Sequence, residues 1–300
     1  MYETIIVGGG PAGITAGIYL ARKKINFLMV TLDIGGQTLK SGGIENYLGH
    51  QYITGPELAE KFAQHLREFS IDLKEGEKVE KIEKNDDAFT VFSGNEKYNG
   101  KTVIVCTGRK PKELTVPGEK EFYNRGISYC ATCDGPLFSG TRVAVVGGGN
   151  SGLEVALQMV RIASKVFVIE RDNRLTGDKI LIDRLSKADN LEVLTSTKVV
   201  EIFGEKLVSG MTVDIDGKKK NLDIEGVLVE IGSIPNSHIF EGVEKNLAGE
   251  IVIDCSTRTS ISGLFAAGDV TNVFKKQIII ACGEGAKAAI AASEYLYMGG

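Results

Sequence analysis

Histidine is scarce in this 300-residue sequence, limited to His50, His65 and His238, and its five cysteines include a single close pair. A structural zinc site needs four such ligands around one ion. With no second Cys-x-x-Cys in the chain, no metal centre is expected. Long apolar runs are missing too: no uncharged stretch approaches the roughly 18 residues of a membrane-spanning helix. Neither charge is in large excess. The net charge is −4 and the isoelectric point about 5.6, which argues against a nucleic-acid-binding surface. Lys218-Lys219-Lys220 is a short basic run, read as a solvated hairpin turn. Met1-Tyr2-Glu3 leads into Thr4-Ile5-Ile6-Val7 with neither a basic n-region nor an apolar signal core, so a cytoplasmic protein is expected. What remains is an ordinary globular composition, 43% hydrophobic and 25% charged, in a chain long enough for two domains.

The close pair is Cys130-Ala131-Thr132-Cys133-Asp134. Such a pair trades electrons, holds a metal or is structural chance. In a cytosolic setting catalysis or metal binding outranks a structural bridge. Cys106, Cys255 and Cys282 sit singly in apolar segments and are read as buried small hydrophobes.

The pair lies shortly before a glycine-rich fingerprint, in a chain that carries a second one at its start. Residues 3–7 read as a buried strand, followed by Gly8-Gly9-Gly10-Pro11-Ala12-Gly13 and a helix over 14–22. In this pattern the glycines serve a tight turn, close approach of backbone to a pyrophosphate, and close helix–strand packing. The anion then rests on the free N–H groups of the helix. Phe27-Leu28-Met29-Val30 is the next strand, and the first acidic residue after it, Asp33, comes late. The second copy has a strand at 142–146, then Gly147-Gly148-Gly149-Asn150-Ser151-Gly152, a helix over 153–162, and a strand at 166–169 closed by Glu170. Alternating segments follow each copy. Each then reaches a strand ending in Gly-x-x-Pro, Gly108 to Pro111 and Gly232 to Pro235. The tail, with Gly263-Leu264-Phe265-Ala266-Ala267-Gly268-Asp269 and a helix over 283–297, has no fingerprint and completes the first copy. The expected fold is α/β, two Rossmann-like dinucleotide-binding domains, the second inserted into the first, each with a small antiparallel β insert. The expected division is 1–112 and 241–300 for the first domain, and 113–240 for the second.

Taken together, Gly8–Gly13, Gly35-Gly36-Gln37, Glu45-Asn46-Tyr47-Leu48-Gly49, Cys130-Ala131-Thr132-Cys133-Asp134-Gly135, Gly147–Gly152 and Ala266-Ala267-Gly268-Asp269 closely resemble the low-molecular-weight thioredoxin reductases, class II of the pyridine nucleotide-disulfide oxidoreductases. The segment from Lys276 to Ala288 also resembles the flavoprotein component of alkyl hydroperoxide reductase, a sister with an extra N-terminal thioredoxin-like part not seen in this sequence.

The resemblance implies FAD in the first domain, its pyrophosphate on Gly8, Gly10 and Gly13. Gly36, Gln37 and Asn46 would lie along the cofactor, with Gly108 beside it. Asp269 and Gln277 would reach its ribityl and isoalloxazine end. It implies NADH or NADPH in the second domain, on Gly147, Gly149 and Gly152. It further implies a homodimer whose substrate is thioredoxin or a thioredoxin-like protein disulfide. Cys133 would face the flavin, Cys130 would attack the substrate, and Asp134 would move the proton. In the family the second domain rotates to serve both half-reactions, with hinges here near Lys110–Lys112 and Pro235–Ser237. Where NADPH-using members carry His-Arg-Arg-x-x-x-Arg, this chain reads Glu170-Arg171-Asp172-Asn173-Arg174-Leu175-Thr176. A carboxylate suits a ribose 2′-hydroxyl and repels a 2′-phosphate, so NADH is expected, although Arg171 matches the NADPH pattern. A reductase of a peroxiredoxin- or glutaredoxin-like partner, and a flavin redox sensor without turnover, are the alternatives.

Overall fold

The computed structural model describes residues 1–299 apart from Gly42, Glu45, Asp87 and Cys130, and leaves out the side chains of Lys40, Thr132 and Cys133. The expected redox pair, Cys130 with the Cys133 thiol, and Glu45 of the family match therefore lie outside the described residues.

The chain divides into two compact units, residues 1–110 with 234–300, and residues 111–233. The first is organised on β1 (Tyr2–Gly9), α1 (Pro11–Arg22) and β2 (Phe27–Ile34). Its sheet runs Asp72–Glu75, β2, β1, Glu96–Val105, Ala88–Ser93, Val79–Asn85. Pairing is parallel from Asp72–Glu75 through β2 and β1 to Glu96–Val105, and antiparallel beyond it. The long strand Glu96–Val105 is shared. Its early residues pair with Phe89–Ser93, while Val103–Val105 take the tail strand Leu264–Ala266 in parallel. Residues more than 150 positions apart thus form one sheet, which is how the tail closes the first unit.

Period-two alternation sorts the side chains. Ile6, Met29, Ile104 and Phe265 face one core, with α1 and the C-terminal helix, while Ile5, Val7, Leu28, Val30, Val103 and Val105 face the other. Strands buried on both faces read as the continuous apolar runs seen in the sequence. The helix α2 (Gly55–Arg67) is closed by a capping box: Thr54 Oγ1 accepts from the Glu57 N–H at 3.3 Å, and Glu57 accepts from the Thr54 N–H at 3.0 Å.

The second unit repeats the plan. A parallel sheet runs Ile127–Ser128, Gly226–Val229, Arg142–Val146, Lys165–Ile169, Leu191–Leu194. A short helix α3 (Ala131–Asp134) follows the edge strand Ile127–Ser128, α4 (Asn150–Met159) packs on one face, and α5 (Lys179–Leu185) lies against α4. A three-stranded antiparallel meander, Thr197–Gly204, Val208–Ile215 and Lys218–Leu222, covers the other face with Ile202, Val208, Met211 and Val213. The hairpin turn before the last strand is Asp216-Gly217, both at positive φ, and Lys218-Lys219-Lys220 lie in the strand itself. The expected lysine turn is therefore an edge strand. Lysines there keep an unpaired edge from recruiting another strand.

Two further boundaries and the burial of one cysteine differ from the sequence reading. Residues 234–240 belong to the first unit: Asn236 donates to the Thr107 carbonyl at 2.8 Å, and Ile239 and Phe240 enter its core. The last helix, α6 (Ile278–Tyr297), starts before Gly283, and Gly285 within it serves packing. A Cβ on Gly285 would overlap the Ala12 carbonyl of α1, so the two helices cross at backbone distance. Cys255 is exposed, whereas Cys106 is buried as expected.

Candidate functional site

In the first unit the glycine loop joins β1 to α1 with each glycine in a distinct steric situation. Gly8 has φ 109°, open to glycine alone at no cost, and a Cβ there would overlap the Cys106 carbonyl. A Cβ on Gly13 would overlap the Gly8 carbonyl, whereas above Gly10 the space is open for 4 Å. Gly10 is the N-cap of α1 and makes no side-chain cap, and Pro11 opens the helix. Among the described residues the first N–H groups of α1 thus have no side-chain acceptor, in contrast to the capped α2. That is the arrangement an anion completes.

Other family-matched residues converge on this helix end. Gly36 abuts Gly10: a Cβ on it would stand 3.0 Å from the Gly10 Cα. Asp33, the late acidic residue, accepts from the Gly36 N–H at 2.8 Å. Gly268 lies against Ala12, bringing Asp269 to the start of α1. Gln37 donates to the Arg109 carbonyl at 3.1 Å, next to Gly108, whose surroundings are open for 4 Å. Asn46 donates to Gln277 at 3.1 Å. Tyr47 Oη is 3.7 Å from Cys282 Sγ of α6, and burial, then Cys282, pushes the phenol upward. Asp269 is half-buried, with no hydrogen bond to its carboxylate among the described residues. Burial pushes that carboxyl above its ordinary value, while Lys276 and Arg109 pull it down. Directly after Gln37, Thr38 Oγ1 is buried without a partner among the described residues.

The second fingerprint repeats this stereochemistry. Gly147 has φ 127°, a Cβ on Gly152 would overlap the Gly147 carbonyl, and Gly149, the N-cap of α4, has only Thr176 Oγ1 within reach at 3.8 Å. The loop is tied to the acidic residue that closes the next strand. Glu170 accepts from the Gly148 N–H at 2.6 Å and from the Asp172 N–H at 2.8 Å. Its carboxylate thus faces the glycine loop. Arg171 is exposed and lies 3.6 Å from Asp172.

Next to the cysteine segment, Asp134 is half-buried and ends α3, which is held to α4 by Gln158 donating to the Ala131 carbonyl at 3.3 Å. Tyr129, directly before Cys130, donates to Glu119. Glu119 is 3% exposed and also accepts from the N–H groups of Leu114 and Thr115 at 2.5 and 2.6 Å.

Two features had escaped the sequence reading. Glu230, directly after the interior strand Gly226–Val229, has its carboxyl pushed up to about 7 by burial and by Glu154 of α4. Its carbonyl lies against Gly147. In the first unit, Arg109 and Lys276 share Glu250, at 2.6 and 3.1 Å. An acidic residue ending an apolar strand was visible, but its burial was not. Arg109 and Glu250 are 141 positions apart, so no local pattern connects them.

The family model for pyridine nucleotide-disulphide oxidoreductases matches residues 2–292. The chain is 42% identical over 298 residues to an NADH dehydrogenase of Bacillus subtilis, covering 98% of this chain and 58% of that protein. It is 42% identical over 299 residues to the F subunit of alkyl hydroperoxide reductase from Staphylococcus aureus, covering 98% of this chain and 59% of that one. The chain thus spans a little over half the length of these two relatives. Among solved structures, thioredoxin reductase of Lactococcus lactis superposes with a TM-score of 0.91 at 32% identity, covering 99% of this chain and 100% of that one. The thioredoxin reductase of T. acidophilum gives 0.87 at 36% identity, covering 98% and 99%.

Proposed function

Since the chain belongs to the pyridine nucleotide-disulphide oxidoreductase family, we propose that it is a flavoprotein disulfide reductase. It passes electrons from NADH through FAD and a Cys130–Cys133 disulfide to thioredoxin or a thioredoxin-like protein. The observation that carries the reading is the doubled cradle: two glycine loops with the same contacts, each ending at a helix N-terminus without a side-chain cap. The first fits FAD. Gly10 leaves room for its pyrophosphate, and the half-buried Asp269 carboxylate has no protein donor among the described residues and suits a ribityl hydroxyl. Gly8, Gly13, Gly36, Gln37, Asn46, Gly108 and Gln277 complete that site. When bound, the flavin supplies a carrier for two electrons between nucleotide and disulfide.

The second cradle takes the nicotinamide nucleotide on Gly147, Gly149 and Gly152. Glu170, which accepts from the Gly148 N–H, would accept from the adenosine ribose and repel a 2′-phosphate. Arg171, paired with Asp172 at the surface, does not offset it. The net reaction consumes NADH, a proton and a protein disulfide, and yields NAD⁺ and two thiols. Cys130 attacks the substrate disulfide, Cys133 resolves the mixed disulfide, and Asp134 moves the proton as each thiolate forms or leaves. The protein works in the cytoplasm as a homodimer.

The likeness to the alkyl hydroperoxide reductase protein of Staphylococcus aureus favours a second reading of the acceptor, a peroxiredoxin- or glutaredoxin-like protein. The test is NADH oxidation by the purified flavoprotein with thioredoxin or a peroxiredoxin as disulfide acceptor. Oxidation that depends on thioredoxin supports the first reading. Dependence on peroxiredoxin alone moves it to the second. Oxidation indifferent to both overturns the reductase assignment.

A further inference from the structure

Beside Asp269 lies a charge network that the reaction scheme does not use. Glu250 receives Arg109 Nη1 at 2.6 Å and Lys276 Nζ at 3.1 Å, and Asn246 donates to its other oxygen at 2.8 Å. The three charged side chains are only 17%, 23% and 14% exposed for Arg109, Lys276 and Glu250. Burial alone would raise the Glu250 carboxyl, but the bonds from Asn246, Lys276 and Arg109 outweigh it and hold it low. Lys276 is fixed further by donating to the carbonyls of Thr271 and Val273. Arg109 follows Gly108, and its carbonyl takes the Gln37 amide. Lys276 directly precedes Gln277. The network is thus bounded on each side by residues assigned to FAD, and its two cations are the charged groups acting on Asp269.

We propose that Glu250 holds Arg109 and Lys276 as a fixed cation pair that keeps Asp269 ionised, so that it binds the FAD ribityl chain as a charged acceptor. The two cations are positioning residues acting through Asp269, and the inference rests on the FAD assignment. Such pre-organisation has a clear chemical use. A half-buried carboxyl without a donor drifts toward its neutral form as pH falls, and a neutral acid is a weaker hydrogen-bond acceptor than a carboxylate. With both cations in place, FAD retention is insensitive to mild acidification. With one removed, burial acts on the Asp269 carboxyl with less opposition, and its protonation begins at higher pH.

The experiment is fluorescence titration of the FAD-stripped full chain with FAD from pH 5.5 to 8.5. The unmodified protein is expected to bind with little pH dependence between pH 6 and 8. Arg109→Gln and Lys276→Met are expected to bind nearly normally at pH 8 and about tenfold more weakly at pH 6, the scale of a charge-assisted bond becoming neutral. Arg109→Lys restores the flat profile. Asp269→Asn binds weakly at every pH and removes the pH dependence of Arg109→Gln. If Arg109→Gln or Lys276→Met weakens binding equally at all pH values, the cations act only on structure and the inference is overturned. If the unmodified chain binds no FAD at any pH, the cofactor assignment itself falls. The two failures are therefore distinct.

Discussion

Replacing Glu230 by glutamine should stabilise the protein at alkaline pH and leave it unchanged in acid. Glu230 is largely buried directly after an interior strand, where burial first and Glu154 second push its carboxyl from 4.5 to about 7. The raised value means that the folded state disfavours the ionised form. The favourable contribution is fully present below the unfolded value of 4.5 and is lost as pH rises through about 7. A tenfold change in acidity corresponds to about 1.4 kcal/mol, so the folded protein at pH 8.5 carries a penalty of about 3–4 kcal/mol that glutamine lacks. The assay is urea unfolding of the nucleotide-free protein from pH 4.5 to 8.5. The gap between Glu230→Gln and the unmodified chain should open between pH 5 and 8. Glu154→Gln, which removes the second cause of the raised value, should open a smaller gap over the same range. Parallel pH profiles for Glu230→Gln and the unmodified protein would refute the reasoning.

Two other substitutions probe the second unit. Glu170→Ala should narrow the preference for NADH over NADPH, read as the ratio of kcat/KM for the two nucleotides. An unmodified protein that prefers NADPH would remove Glu170 from that role. Tyr129→Phe takes one donor from the buried Glu119 carboxylate, which keeps the Leu114 and Thr115 N–H groups. A loss of about 1–3 kcal/mol in urea unfolding is expected, and an unchanged midpoint would show the bond to be dispensable.

The two-unit α/β fold was legible because its strongest signals are steric. Gly8 and Gly147 sit at positive φ, and Gly13 and Gly152 sit where a Cβ meets a carbonyl. Substitution would be penalised at each whatever the rest of the chain does, so the pattern is local and readable. Boundaries set by long-range packing were less readable. Gly283 and Gly285 look like poor helix residues, yet Gly285 lets α6 cross α1 against Ala12. Three consecutive lysines look like a turn until the edge position of Lys218–Leu222 is known. Residues 236–240 follow a strand of the second unit but bond to Thr107 and enter the first core. The network of Arg109, Glu250 and Lys276 was invisible for the same reason: each residue is ordinary in its own segment, and only the fold brings them together.

The most direct measurement of the central claim is an anaerobic titration of the oxidised flavoprotein with NADH, followed by flavin absorbance and free-thiol count. FAD and a redox-active disulfide each accept two electrons. The account predicts that the unmodified chain consumes two equivalents of NADH and gains two thiols, and that Cys133→Ser consumes one and gains none. Consumption of one equivalent by the unmodified protein, with no thiol gained, would contradict it.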